Sequence, residues 1–194
     1  MTAAKQFEFS DFGLDERQAW RFDAWMAAGK RGLVVGGEGT GKSTFLQLLT
    51  RRLSERHRVF VLSDAVDFET MMANRRHMLS CQVIPSTADR WGRAYDIATS
   101  YRPDRIVISE VSINSASTAL QVLDQAATPL LADICATSIR SGLRGFRRRA
   151  LLSCARIDPD ETDKFLAGAF DFTVLLDRSG ERVFVKDIVS RKVS

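Results

Sequence analysis

The chain has 194 residues, of which 45% are hydrophobic, and this length is enough for one domain with a single substantial core. Its formal charge of +4, from 28 basic and 24 acidic residues, gathers in local basic stretches and does not by itself indicate nucleic-acid binding. The three cysteines are too few and too widely spaced for a disulfide framework, and no apolar stretch approaches the roughly 20 residues that span a bilayer, so we expect a cytoplasmic protein.

The predicted elements begin with an amphipathic helix. Residues from Asp15 to Ala28 carry apolar side chains at helical spacing, among them Trp20 and Trp25. The short apolar run Leu33-Val34-Val35 then predicts a buried strand. We treat residues 1–30 as a lead-in segment and helix within a single domain that spans residues 1–194.

A glycine-rich segment follows this strand directly. Residues Gly36 to Ser43 fit the pattern G-x-x-x-x-G-K-[ST], and the residues after them favour a helix. Strand, glycine loop and helix together are the setting of a phosphate-binding loop, whose main-chain N–H groups and helix N-terminus hold a nucleoside triphosphate. Lys42 is expected to reach the β and γ phosphates and Ser43 to bind Mg²⁺, whereas a plain glycine-rich turn would leave Lys42 unexplained. The residues predicted to contact ATP are Gly37, Glu38, Gly39, Thr40, Gly41, Lys42, Ser43 and Thr44.

Strands and helices alternate along the rest of the chain. We predict strands at 58–62, 81–84, 105–108, 130–136, 172–176 and 183–189, and helices at 67–78, 87–101, 115–126, 143–152 and 161–170. The last two strands are joined by a predicted turn from Asp177 to Gly180. Alternation behind a phosphate loop predicts an α/β fold with a mainly parallel sheet, helices on both faces and an antiparallel edge formed by the C-terminal hairpin.

Acidic residues follow two of the predicted strands. Glu110 ends the run that starts at Arg105, where a buried strand would deliver its carboxylate beside the loop at the carboxyl edge of the sheet. A catalytic acid at this place orients the attacking water or helps to hold Mg²⁺. Asp64 is a second catalytic candidate on the γ-phosphate side, with Asp67 and Glu69 close behind it. For each of these acids the alternative is a solvated loop residue.

These segments resemble the ATPases of type II and type IV secretion, type IV pili and conjugation. Residues 102–111, Arg-Pro-Asp-Arg-Ile-Val-Ile-Ser-Glu-Val, are similar to that family's Walker B segment, and residues 62–69 are similar to its aspartate box. The opening at 9–14 resembles the lead-in to the family's motor domain, and 170–176 with the last strand resembles its closing hairpin. The resemblance covers essentially the whole chain but only the motor domain of the family.

The resemblance carries several expectations. It implies a RecA-like P-loop NTPase fold with ATP and Mg²⁺ as cofactors, and it implies a hexameric ring. It further implies partners among membrane-embedded secretion or pilus proteins, so that a cytoplasmic chain would lie at the inner face of the membrane through them. Nucleic acid is not an expected partner.

Four positions depart from the family pattern. Ser63 replaces the first acid of the aspartate box, and Ser109 replaces the glycine before Glu110. Ser112 stands where the family usually has an arginine, and Cys135 stands where its histidine box predicts a histidine. Loss of an arginine of that kind can slow hydrolysis by roughly a thousandfold or more, so the motifs support nucleotide binding better than turnover.

Other arginines are available to act on a neighbouring subunit. We expect Arg90, Arg93, Arg102 and Arg105 near the active edge of the sheet. The basic segment from Arg140 to Arg149 is expected to be a solvated helix face, with a protein interface as the next alternative and a surface for nucleic acid or acidic lipid as the last. The sequence does not select one of these arginines.

Three functions fit these motifs. The leading hypothesis is an ATPase that couples binding or hydrolysis of Mg·ATP to a membrane-embedded secretion, pilus or conjugation machine. The second is a nucleotide-binding structural or regulatory subunit of such a machine that no longer hydrolyses ATP, which the replaced Ser63, Ser112 and Cys135 favour. The third is a small P-loop kinase, which would need an arginine-rich lid bounded by glycines that we do not find between Glu110 and Asp177.

Overall fold

A computed structural model describes residues 7–53, 57–64, 77–84, 86–125, 128–153 and 158–191. Helices and strands alternate in it as the sequence pattern predicts. The helices are α1 Glu16–Ala27, α2 Lys42–Arg51, α3 Ala88–Ser100, α4 Ala116–Asp124, α5 Ile139–Ser153 and α6 Pro159–Ala169, preceded by a 3₁₀-helix at Phe9–Phe12. The strands are β1 Gly32–Gly36, β2 Val59–Ser63, β3 Met78–Gln82, β4 Arg105–Ile108, β5 Leu130–Cys135, β6 Phe172–Ser179 and β7 Arg182–Ser190.

These strands form one sheet in the order β3-β2-β4-β5-β1-β6-β7. Strands β1 to β6 run parallel, and β7 pairs antiparallel with β6 at the end of the sheet. The predicted α/β class and the antiparallel edge hairpin are therefore confirmed. Because parallel strands share their direction, the sheet has a carboxyl edge, where β1, β2, β4, β5 and β6 end, and an amino edge, where they begin.

Both faces of the sheet are covered by helices, so its central strands are apolar on both sides. Side chains alternate between the faces with a period of two. In β4, Val107 packs in the core formed with α1 and α2, which we call the α2 face. Ile108 packs in the core formed with α3, α4, α5 and α6, which we call the α4 face.

The lead-in segment is fastened to the α2 face by aromatic side chains. Phe12 meets Phe45 of α2 at 4.9 Å between ring centroids, and Phe9 stacks on Phe22 of α1 at 5.3 Å. The expectation that Trp20 belongs to the apolar face of α1 is wrong, because its side chain is 70% exposed. Within the described ranges, no helix is both long and apolar enough to cross a bilayer.

Several predicted boundaries shift for local reasons. Helix α5 begins at Ile139, four residues before the predicted start, where Ser138 and Ser141 exchange hydrogen bonds between their N–H groups and hydroxyls. Strand β6 continues to Ser179, so the predicted turn from Asp177 to Gly180 is wrong and the chain reverses after Ser179 instead. Strand β3 begins three residues before the predicted 81–84, and the predicted helix at 67–78 falls mostly outside the described residues.

Candidate functional site

The glycine-rich segment forms a tight loop between β1 and α2 at the carboxyl edge. Gly39 and Gly41 have positive φ values of 69° and 79°, a backbone conformation that favours glycine. A Cβ atom at Gly36 would overlap the Thr40 hydroxyl and would lie 3.1 Å from Cγ of Lys42. The loop therefore closes on itself only because these positions lack side chains.

The first turn of α2 is left without a side-chain cap. Its N-cap residue is Gly41, which offers no side-chain acceptor, whereas Asp15, Thr87 and Asp158 cap α1, α3 and α6 with side-chain oxygens. The first N–H groups of any helix have no partner within the helix, and they carry the positive end of its dipole. The N-terminus of α2 is thus free to receive an anion.

Lys42 is folded over this loop. Its Nζ donates to the Gly37 carbonyl at 2.8 Å, and the Thr40 hydroxyl donates to the same carbonyl at 2.8 Å. Ser43 is exposed in the first turn of α2, and Thr44 beside it is half-buried. The structure thus places the eight predicted ATP-binding residues, from Gly37 to Thr44, in one loop and one helical turn.

Glu110 lies at the carboxyl edge, but the strand that it follows is not a neighbour of β1, the strand before the loop. It follows β4, and β5 separates β4 from β1. Its φ is +61°, a left-handed conformation that is uncommon for a residue with a side chain. Its N–H donates to Oδ1 of Asp133 at 2.8 Å, and its carbonyl accepts from the Ser115 hydroxyl at 2.9 Å. The Glu110 side chain itself is exposed.

Asp133 is a buried acid at this edge, and no sequence motif assigns it a role. It lies in β5 and is 1% exposed. Burial raises the pKa of its carboxyl to about 6, partly opposed by the N–H bond from Glu110 and by the charge of Lys42. The sequence signal that could have revealed it is a single carboxylate in the otherwise apolar strand Leu130–Cys135, since a buried acid needs a partner.

Asp64 is bound into a network away from the loop. Its Oδ2 accepts from the Ser86 hydroxyl at 2.8 Å, and that hydroxyl accepts from Nε1 of Trp91 in α3 at 3.1 Å. Strands β4 and β5 lie between its strand, β2, and β1. The structure therefore does not bring Asp64 to the phosphate loop. Asp67 and Glu69 lie outside the described residues.

Two of the four arginines expected near the active edge are at the opposite edge. Arg102 and Arg105 precede β4 or begin it, so the expectation for both is wrong. The Arg105 guanidinium is buried and donates to the carbonyls of Met26 at 3.1 Å and Lys30 at 2.8 Å, behind the end of α1. Burial lowers its pKa to about 10. Its role is to hold the end of α1 against the sheet.

Another arginine, Arg178 of the C-terminal hairpin, lies beside the loop, although no sequence pattern indicates this position. Nη1 of Arg178 is 3.2 Å from the place that a Cβ atom of Gly39 would occupy. Its Nε donates to the Gly180 carbonyl at 2.6 Å. The neighbouring Asp177 pairs with Lys186 at 2.7 Å. Arg178 therefore brings a second positive charge, besides Lys42, to the phosphate loop.

The positions that depart from the family pattern also have defined places. Ser112 and Ser115 are bonded to each other at the start of α4, with the Ser112 N–H donating to the Ser115 hydroxyl at 2.8 Å. Cys135 ends β5, is half-buried and pairs in register with Gly36 at the start of the loop. Cys135 thus lies beside the start of the loop, whereas Ser112 lies in the turn between β4 and α4.

The fold is shared with solved ATPase structures. The VirB11 ATPase of the Brucella suis type IV secretion system superposes with a TM-score of 0.75 and 14% identity, over 96% of this chain and 57% of that one. The DotB ATPase of Legionella pneumophila gives a TM-score of 0.68 and 15% identity, over 96% of this chain and 51% of that one. The pilus retraction motor PilT gives 0.63 and 16%, over 99% of this chain and 55% of that one.

The chain therefore spans about half the length of these solved proteins. No protein-family model and no curated protein matches the sequence. At identities of 14 to 16% the likeness concerns the fold, and it agrees with the resemblance carried by the motifs. The chain has the RecA-like fold of the VirB11 ATPase, the DotB ATPase and the pilus retraction motor PilT.

Proposed function

We propose that this chain is a P-loop domain that binds Mg·ATP and couples nucleotide binding or hydrolysis to a membrane-embedded secretion, pilus or conjugation machine. The observation that carries the proposal is the uncapped N-terminus of α2 enclosed by the glycine loop and Lys42. Such a site supplies several N–H donors, a helix dipole and an ammonium group to one anion. The β and γ phosphates of a nucleoside triphosphate can use all three.

Lys42, Arg178 and the main chain of α2 would each contribute to phosphate binding. Lys42 would exchange its bond to the Gly37 carbonyl for phosphate oxygens, which are stronger acceptors because they are charged. Arg178 would add its charge from the side of the loop. The N–H groups in the first turn of α2 would donate hydrogen bonds to the phosphate oxygens.

The donor set also fits magnesium. No group of three His, Cys, Asp or Glu side chains that could cage a metal occurs in the described part of the chain. Mg²⁺ does not require such a cage, since it usually takes one or two protein ligands together with substrate phosphates and water. We assign the protein ligand to Ser43, which is exposed in the first turn of α2, with Glu110 as a second candidate ligand. Bound there, the ion would neutralise phosphate charge, and Glu110 would orient the attacking water.

The functions of the structurally similar proteins support the proposed cellular role. VirB11 belongs to a type IV secretion system, and PilT is a pilus retraction motor whose structure contains ADP. By analogy we propose membrane-embedded secretion or pilus proteins as partners, a cytoplasmic location at the inner face of the membrane, and assembly into a ring. Analogy of fold is a weaker argument than a site, so these proposals depend on the nucleotide site.

A second candidate function is a nucleotide-binding subunit that does not hydrolyse ATP. The environment of Ser112 favours it, because the position expected to carry an arginine instead carries a small hydroxyl bonded to Ser115. Hydrolysis needs positive charge at the transition state that binding does not need. In this case the chain would serve a mixed assembly as a structural or regulatory part.

Calorimetry and phosphate release together test both functions. We expect the purified chain to bind Mg·ATP with micromolar affinity and Lys42→Ala to lose at least about tenfold of it, because charge-assisted bonds to phosphate are removed. We expect Glu110→Gln to bind as wild type does but to release phosphate roughly a hundredfold more slowly. Binding with equal background release in wild type and Glu110→Gln supports the non-hydrolysing subunit. No saturable binding of any triphosphate contradicts both functions.

A further inference from the structure

The turn after β4 is held in an unusual backbone conformation by a residue of the neighbouring strand. Residue 110 has φ +61°, and a left-handed conformation costs an ordinary residue about 1–2 kcal/mol, so it persists only where the surroundings enforce it. Its N–H donates to the Asp133 carboxylate, and its carbonyl accepts from Ser115. The next N–H, that of Val111, donates to the main-chain carbonyl of Asp133 at 2.7 Å. Asp133 therefore binds both peptide N–H groups of the turn.

The left-handed conformation of Glu110 changes the face to which its side chain points, because side chains alternate between the two faces along β4. Ile108 points to the α4 face, and a strand that continued in extended form would point residue 110 to the same face. Helix α2, which begins at Lys42, packs on the other side of the sheet, the α2 face. The left-handed turn ends this alternation, and the Glu110 side chain is exposed at the carboxyl edge instead of packed under α4.

Asp133 is placed to enforce this turn from within the core. By the same alternation its side chain belongs to the α2 face, since Ala132 and Ile134 on either side of it pack on the α4 face. It is 1% exposed, and the charges of Lys42 and Glu110 both act on its carboxyl. A buried carboxylate is costly unless it makes strong hydrogen bonds, and the bond from the Glu110 N–H is of that kind.

We propose that Asp133 is a positioning residue for Glu110: its buried carboxylate fixes the left-handed turn that brings the Glu110 carboxylate to the phosphate-loop edge. The consequence for turnover depends on the proposed ATPase function, whereas the consequence for the Glu110 backbone does not. Asp133 would act on the chemical step through Glu110 and not on nucleotide affinity.

Two substitutions separate the hydrogen bond from the shape of the side chain. Asp133→Asn keeps an oxygen acceptor of the same reach, and Asp133→Leu keeps a similar shape without an acceptor. We expect the amide hydrogen of Glu110, followed by NMR, to exchange at least about tenfold faster in Asp133→Leu than in wild type, and to stay protected in Asp133→Asn. We expect the Kd for Mg·ADP to stay within about threefold of wild type in both.

Phosphate release supplies the functional comparison. We expect Asp133→Leu to fall to the rate of Glu110→Gln, the double variant to fall no further, and Asp133→Asn to stay within about fivefold of wild type. Should Asp133→Leu not fold, Asp133→Ala takes its place in the same measurements. Unchanged Glu110 exchange in the acceptor-free variant overturns the proposal, as does wild-type release from it when Glu110→Gln is slow. If wild type releases no phosphate, the ATPase function fails, and the exchange measurement alone decides for or against Asp133.

Discussion

Two buried charged residues, Arg105 and Asp133, lie at opposite edges of the same sheet and serve different ends. Arg105, at the amino edge, donates to two main-chain carbonyls near the end of α1. Asp133, near the carboxyl edge, accepts from a main-chain N–H in a turn that carries an exposed acid. The first holds the end of a helix against the sheet. The second fixes a group that must remain accessible.

The same contrast extends along the two edges. At the amino edge, side chains satisfy main-chain N–H groups: Asp171 accepts from the Arg31 N–H at 2.7 Å, and Asp104 accepts from the Arg58 N–H at 2.7 Å. At the carboxyl edge, the N-terminus of α2 has no side-chain cap and is lined by glycine. Groups left without internal partners weaken a fold slightly, and they are tolerated where a ligand completes them. Thr87 and Asp133 also accept from main-chain N–H groups at the carboxyl edge, so the contrast lies in the N-terminus of α2, which we propose is completed by the nucleotide.

The largest expected effect comes from removing the guanidinium at the amino edge. Arg105→Ala removes the side-chain donor of the Lys30 carbonyl, removes one donor of the Met26 carbonyl, which also accepts from the Gly29 N–H, and leaves a cavity. We therefore expect the free energy of unfolding in urea to fall by about 3–5 kcal/mol. The Kd for Mg·ATP, extrapolated to folded protein, should not change. Arg102→Ala is the matched control, since Arg102 is exposed at the same edge and should change stability by less than about 0.5 kcal/mol. A loss of affinity in Arg105→Ala at full folding would contradict the separation of the two edges.

The next effect is a pH dependence that originates at the carboxyl edge. The pKa of Asp133 is raised to about 6 in the folded protein, above the value near 4 of an unfolded chain. Its protonated form is therefore favoured by folding, so the contribution is present at low pH and is lost as pH rises through 6. For the nucleotide-free protein we expect it to amount to at most about 3 kcal/mol between pH 4 and pH 8. Asp133→Asn should remove this slope from the unfolding free energy, and an equal slope in both proteins would show that other groups cause it.

The sequence predicted the site elements that depend on local chemistry. Gly36 to Ser43 carry their own signal, because the contacts at Gly36 and the positive φ of Gly39 and Gly41 require glycine, and the pattern places Lys42 directly after them. The strand before Glu110 was equally readable, since a short apolar run that ends in an acid places that acid at the carboxyl edge. What remained hidden was the strand order, which inserts β5 between β4 and β1.

That order decides which residues meet, and no local pattern encodes it. Asp133 and Glu110 are neighbours only because β4 pairs with β5, and their separation of 23 positions leaves no periodic trace. The misplacement of Arg105 has a different cause, because the strand that delivers Glu110 to the carboxyl edge must begin with Arg105 at the amino edge. The sequence shows an arginine beside a strand but not which end of the sheet that arginine occupies until the direction of the strand relative to the loop is considered. Arg178 depends on the length of β6, which a turn signal at Asp177 to Gly180 concealed.

Two glycines at opposite ends of β1, Gly32 and Gly36, allow the amino and carboxyl edges to be compared within one strand. A Cβ atom at Gly32, the amino end of β1, would overlap the ring of Phe172, which stacks on Trp25. We expect Gly32→Ala to lower the free energy of unfolding by about 1–3 kcal/mol through overpacking, without changing nucleotide affinity. Gly36→Ala, at the other end of the strand, disturbs the Thr40 hydroxyl and Lys42, so we expect a roughly tenfold weaker Kd for Mg·ATP. The prediction is contradicted if Gly32→Ala and Gly36→Ala lower the free energy of unfolding equally and weaken the Kd for Mg·ATP equally.

The smallest expected effect concerns Asp104, and its pH dependence has the opposite sign to that of Asp133. The hydrogen bonds from the Arg58 side chain and N–H lower the pKa of the Asp104 carboxyl. Its ionised form is favoured by folding, so its contribution is present above the usual pKa near 4 and is lost as pH falls through the lowered folded value. Because the pair is largely exposed, we expect Asp104→Asn to cost less than about 1 kcal/mol at pH 7. The difference from wild type in urea unfolding should shrink toward pH 2.5, where the carboxyl is increasingly protonated. A difference that grew on acidification would mean that the hydrogen bonds from Arg58 do not lower the pKa of Asp104. The pH dependences of Asp104 and Asp133 would then not have opposite signs.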